Sequence, residues 1–158
     1  MREMYCAVVR AALRPVAPHR WGRHVPHVFA TLPPYAVAPT QFRFPALAAL
    51  AGRSALGGQR EVALATYMAA RLAHDLLPGR ELDPAVCEER AGAAKHWLST
   101  VTLPPQVRPA LVRLVEASNS GRAATATAVR GVIAVTAPQL DKAARLELDQ
   151  LAEALESR

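Results

Sequence analysis

The sequence predicts an all-α protein, a bundle or short superhelical stack of three antiparallel helical hairpins preceded by a short N-terminal helix and a proline-rich strap. Three observations carry that expectation. From residue 45 onward apolar residues recur at intervals of three and four, the period of a helix face. The chain is 51% hydrophobic but only 5% aromatic, so alanine, leucine and valine must build the interior, as in closely packed helices. Seven of the thirteen prolines fall between Pro15 and Pro45, which separates an irregular N-terminal part, residues 1–44, from a helical domain, residues 45–158. A length of 158 residues is about one domain and suffices to close a core.

In the stretch YCAVVRAALR, the spacing of Tyr5, Val8, Val9, Ala12 and Leu13 predicts a short amphipathic helix that Pro15 stops. Residues 15–44 then read as an extended, polyproline-like strap, because each proline fixes φ, lacks an amide donor and pushes its predecessor out of the helical region. Its rings and aliphatic residues, Trp21, Val25, Phe29, Leu32, Tyr35, Phe42 and Phe44, are expected to lie on the body while guanidinium groups face water.

The first hairpin is PALAALAGRSALGG followed by QREVALATYMAARLAHDLLPG, with Gly57 and Gly58 as the break. In the second, Asp83 is placed to cap and Pro84 suits the first helical position, and Cys87, Ala91, Ala94, Leu98 and Val101 form a stripe. Its return helix turns Val107, Leu111, Leu114 and Val115 inward and is expected to end at Gly121. The third is RAATATAVRGVIAVT followed by APQLDKAARLELDQLAEALESR. There Thr136 and Gln139 have capping-box spacing, and Leu140, Ala144, Leu148, Leu151 and Leu155 share a face. That leucine ridge must bury against the body or against another chain, so a homo-oligomer is compatible with it.

The hairpins begin near residues 45, 84 and 122, a spacing of 39 and 38 that suits helix-pair repeats. Within residues 45–77, Leu50, Gly58, Ala63, Tyr67 and Ala70 stand at offsets that resemble the tetratricopeptide pattern, although Ala51 replaces the usual first glycine. That resemblance implies a helical hairpin of the kind that stacks to bind protein partners.

The net charge of +6 is unevenly placed. Residues 1–60 hold eight arginines against Glu3 alone, a balance of +7, whereas residues 61–158 hold eleven basic against twelve acidic residues, a balance of −1. Such segregation points to an anionic partner, whether nucleic acid, a lipid surface or an acidic protein face. Arg20, Trp21, Arg23, His24, Arg43, Arg53 and Arg60 are the candidate partner-binding residues: guanidinium forks engage carboxylate or phosphate, and Trp21 offers a ring for stacking. No recognition motif for nucleic acid frames them.

His19, His24 and His27 give H-x4-H-x2-H, with Cys6 nearby in sequence, but the spacing matches no strong metal signature and no acid stands close enough in sequence to orient the rings; no metal or other cofactor is expected. Cys6 and Cys87 form no CxxC pair, and Cys87 sits on an apolar stripe as a small core residue. Arg90 and His96, in RAGAAKHW, have a spacing similar to that of HEPN ribonucleases, an all-helical family of comparable size, and the resemblance implies proton transfer by the histidine and charge stabilisation by the arginine. Six residues are 600° of helix, however, so the two do not share a face well. The adjacent Glu88 and Glu89 point apart and make a poor acid–base dyad, while His74 and Asp75 read as a helix end. GRSALGGQR lacks the lysine and preceding strand of a phosphate loop. The expectation is therefore a non-catalytic protein-interaction or assembly module with a basic arm, the alternative being an RNA-binding protein or HEPN-like ribonuclease. The early apolar run is broken by Arg10 and no stretch could span a bilayer, so a reducing, cytoplasmic home is expected, though an Arg-rich, acid-poor start also fits an organelle transit peptide.

Overall fold

The computed structural model describes residues 44–52, 59–77 and 83–157. The predicted N-terminal helix and nearly all of the strap lie outside those residues. Within them the protein is all-helical: six α-helices and no strand, in the order α1 (Pro45–Gly52), α2 (Gln59–His74), α3 (Pro84–Thr100), α4 (Val107–Ala117), α5 (Arg122–Thr136) and α6 (Lys142–Glu156). Among the described residues no helix is long and apolar enough to cross a membrane.

α1 starts on a proline whose missing amide would have found no partner in the first turn anyway. Phe44, Leu47, Ala48, Ala49, Leu50 and Ala51 are all buried, so α1 is apolar on every side and belongs to the interior. α2 is more extreme. Every residue from Val62 to His74 is buried, including Thr66, Arg71 and His74, which makes it the central helix rather than an amphipathic surface one. It packs most extensively on α1 and then on α4, and also meets α3, α5 and α6.

The remaining helices wrap this pair with one apolar face each. The Asp83 carboxylate accepts the Ala85 amide at 2.7 Å, and Pro84 opens α3, as the sequence predicts. Of the predicted stripe, Ala91, Ala94 and Leu98 are buried while Cys87 and Val101 are half-buried at its two ends. α4 buries Val107, Ala110, Leu111, Leu114 and Val115.

Two expected boundaries shift. α4 ends at Ala117, and Gly121 is the N-cap of α5 with φ +103° rather than the terminator of the helix before it. Thr136 closes α5, its hydroxyl donating to the Val132 carbonyl, and the cap of α6 is Asp141, whose carboxylate accepts the Ala144 amide at 2.9 Å. The capping-box spacing of Thr136 and Gln139 thus falls in a turn. Asp141 wins because it stands directly before the apolar run of α6, where a side-chain oxygen can reach the third helical amide.

The leucine ridge of α6 is buried within the one chain: Leu140, Ala144, Leu148, Leu151 and Leu155 join the same core as α1 and α2. Leu146, 54% exposed, is the only large hydrophobic residue left outside among the described residues. α5 with α6 and α1 with α2 are extensively packed consecutive pairs, but α4 packs more on α5 than on α3, so α3 is the loosely attached element.

Candidate functional site

The densest set of functional groups in the described body runs along α2. Tyr67, Arg71 and His74 are four and three residues apart and so follow one face of the helix, and Asp75 comes one residue after its end. The ring of Phe44, just before α1, meets Tyr67 edge-on at 6.4 Å and His74 edge-on at 6.0 Å, so the start of α1 lies against this face. Tyr67 is 0% and Arg71 1% exposed. Burial holds the Tyr67 phenol well above its ordinary titration range; Arg71 opposes that effect in part and Glu147 adds to it. The phenol therefore stays protonated. Tyr67, Arg71 and His74 each make a further interaction.

Just past the end of α2 an ion pair reaches α3. Arg90 donates to the Asp75 carboxylate at 2.7 Å, with the Asp75 side chain only 8% exposed. A shielded, hydrogen-bonded ion pair of this kind ties α3 to α2 where apolar contact between them is slight. It also bears on the arginine–histidine pair that resembles a HEPN centre: Arg90 turns to Asp75, while His96, further along α3, is exposed.

A second constellation joins α6 to α1. The carboxylate of Glu147 accepts the amides of Ala46 at 2.7 Å and Leu47 at 3.0 Å. Burial raises the Glu147 carboxyl above its ordinary range, the two amide donors pull it back in part, and the nearby Asp141 raises it further.

The other charged groups mostly serve helix ends. Arg108 donates to the carbonyls of Leu98 and, at 2.6 Å, Val101, closing the C-terminus of α3. Arg122 donates to the Ala154 carbonyl at 3.1 Å and to that of Ser157, closing α6. Cationic forks at helix C-termini satisfy free carbonyls and complement the dipole. Arg130 grips Glu156 with two bonds of 3.0 and 2.8 Å and holds that carboxyl below its ordinary range, and Lys95 pairs with Glu116 at 3.0 Å.

Of the predicted partner-binding residues, Arg20, Trp21, Arg23, His24, Arg43 and Arg53 lie outside the described residues, as do His19, His27 and Cys6. Arg60 is half-buried in the first turn of α2, beside Glu61. Among the described residues no group of three or more His, Cys, Asp or Glu side chains converges as metal ligands would. Glu88 and Glu89 are both exposed and Cys87 is a free, half-buried thiol. The Tyr67–Arg71–His74 row and Glu147 do not stand out in the sequence. The row's four-three spacing was available to a sequence reading, but polar residues at that spacing ordinarily mark a solvated face. Glu147 acts on a helix a hundred residues away, which no local pattern reports.

Compared with known families, curated proteins and solved structures, the chain matches none.

Proposed function

We propose that this chain is a non-catalytic interaction or assembly module, in which the helical body is a scaffold and the basic N-terminal segment supplies positive charge for an anionic protein partner. The observation that carries the reading is the segregation of charge, +7 over residues 1–60 against −1 over the rest. The body's own arginines support it. Arg90, Arg108, Arg122 and Arg130 are committed to Asp75, to helix carbonyls and to Glu156, which leaves fewer of the body's cations, Arg113 and Lys142 among them, to face a partner. Steering by Arg20, Arg23, Arg43, Arg53 and Arg60, with Trp21 and His24 among them, would raise the rate of encounter and make binding salt-dependent.

The tetratricopeptide-like reading of residues 45–77 belongs to the same proposal. Leu50, Ala63, Tyr67 and Ala70 are buried, and α1 packs extensively on α2. A cytoplasmic site suits two cysteines with no pairing pattern.

The test compares the natural chain with a variant carrying Arg20→Ala, Arg23→Ala, Arg43→Ala, Arg53→Ala and Arg60→Ala, in capture experiments with and without nuclease and across a salt series. The reading expects a specific protein to be retained, insensitive to nuclease, weakened by salt and lost in the variant. Retention that the five substitutions leave unchanged defeats it. A salt-dependent shift of labelled RNA that the variant abolishes replaces it with the RNA-binding alternative, and RNA cleavage lost in His96→Ala with the ribonuclease one.

A further inference from the structure

α3 adds little to the core on which it rests. Along Pro84–Thr100 only Ala91, Ala94 and Leu98 are buried, and between Pro84 and Arg90 no residue is. The two helices it lies against, α2 and α4, pack on each other more extensively than either packs on α3. They therefore make a surface of their own, on which α3 is seated.

That seat is marked at both ends. At one, Asp75 lies just past α2 with its side chain 8% exposed, and accepts Arg90 at 2.7 Å. A carboxylate so shielded requires a cation, since unpaired it would bear its desolvation cost uncompensated. At the other, Arg108 in the first turn of α4 donates to the carbonyls of Leu98 and, at 2.6 Å, Val101. Those acceptors are backbone groups, which any helix ending at that point would offer. Between the ends, Ala91, Ala94 and Leu98 follow at steps of three and four residues, so the surface takes two small side chains and then a leucine. A further tie, Lys95 to Glu116 at 3.0 Å, is 46% and 54% exposed and contributes little.

We propose that α2 and α4 form a helix-binding site, that α3 occupies it in the free chain, and that a protein partner takes it with an amphipathic helix of the same chemistry. Such a helix carries an arginine for Asp75, small residues in the places of Ala91 and Ala94, a leucine in that of Leu98, and free carbonyls at its C-terminus for Arg108. α3 is then the body's own placeholder, covering a shielded carboxylate and an apolar surface until the partner arrives. Its place is open to competition because a helix held by so little burial detaches at low cost. A partner helix gains where α3 leaves contact unmade, at the half-buried Cys87 and Val101 positions. The site uses none of the arginines before Glu61, so it stands or falls apart from the role proposed for the basic segment.

The probe is a synthetic peptide of residues 83–102 carrying Cys87→Ser, labelled for fluorescence anisotropy and titrated with the full chain. The natural chain should take it up weakly, because its own α3 competes at an effective concentration on the order of millimolar. In an Arg90→Ala chain the resident helix loses its charged hydrogen bond while Asp75 remains, so the peptide should bind about tenfold tighter or more. That gain should disappear when the chain also carries Asp75→Asn, or when the peptide itself carries Arg90→Ala. Binding should release the resident helix, read as faster alkylation of the chain's Cys87, which mass spectrometry resolves from Cys6. Arg90→Lys in the chain keeps the charge but not the guanidinium fork, and decides the matter through a smaller gain if Arg90→Ala folds poorly. Equal affinity for the natural and the substituted chains, no uptake by any chain, a gain that survives Asp75→Asn, or binding that leaves Cys87 alkylation unchanged would each overturn the proposal.

Discussion

Three glycines show how one residue type can be required at one position and costly at another. Gly121 precedes α5 at φ +103° and ψ 173°, a region where a Cβ is strained whatever space surrounds it. Gly121→Ala should therefore lower stability by about 1–3 kcal/mol, read as a fall in the urea midpoint. Gly92 and Gly131 are the reverse case. Each lies inside a helix, α3 and α5 respectively, and a Cβ built on either meets nothing within 4 Å. There glycine only adds freedom to the unfolded chain, so Gly92→Ala and Gly131→Ala should each stabilise by roughly 0.5–1 kcal/mol. If either alanine instead destabilises, an unseen close approach to that helix face is indicated. None of this contrast is legible in the sequence. Gly121 reads equally well as the end of α4 or the start of α5, and only the backbone angle separates the two.

Among the elements, α3 stands apart. Seventeen residues long, it fully buries only Ala91, Ala94 and Leu98, with Trp97 and Val101 partly buried against the core, and its other anchors are the Arg90–Asp75 pair, the exposed Lys95–Glu116 pair and the Arg108 fork at its C-terminus. A helix that buries so little apolar surface opens at low cost, because local stability follows buried contact rather than length. Its amides should exchange fastest among those of the four helices from α3 to α6, with protection below that of α6 by an order of magnitude or more. Equal protection in α3 and α6 would show that the ion pair and fork bind it more firmly than its burial implies. Asp83→Ala removes its cap and should cost about 1 kcal/mol, visible as faster exchange confined to the first turn. Here much was legible. Asp83, Pro84 and the four-three stripe specify this helix through local rules; the cap is found where those rules place it, and the stripe is buried at Ala91, Ala94 and Leu98 but only half-buried at Cys87 and Val101. α2 was legible as a helix but not as the centre of the molecule: His74 and Asp75 read as a helix end, yet both are buried, as is Arg71. Burial of those side chains is decided by neighbours far away in sequence, which periodicity does not report.

At the scale of the whole molecule, the core is one continuous cluster running from Phe44 through α2 to Leu155, so the first and last described helices share it. α6 reaches α5, α1 and α2, and through Glu147 it also caps α1. The all-α class was legible because it rests on composition and period. The packing order was not, because three hairpins of similar length could dock in several ways, and the leucine ridge of α6 could as well have met a second chain. Its burial inside one chain carries a definite consequence. Leu148 is 0% exposed at the centre of that ridge, and Leu148→Ala leaves a cavity the rigid neighbours only partly fill. The loss should be about 2–5 kcal/mol, a large share of the roughly 5–15 kcal/mol that holds a domain of this size together. Since the cavity lies in the shared core, the whole unfolding transition should move to lower urea with its slope unchanged, and exchange should quicken together in α1, α2, α5 and α6. A response confined to α6, or a stability that depends on protein concentration, would show that the ridge closes against another copy of the chain instead.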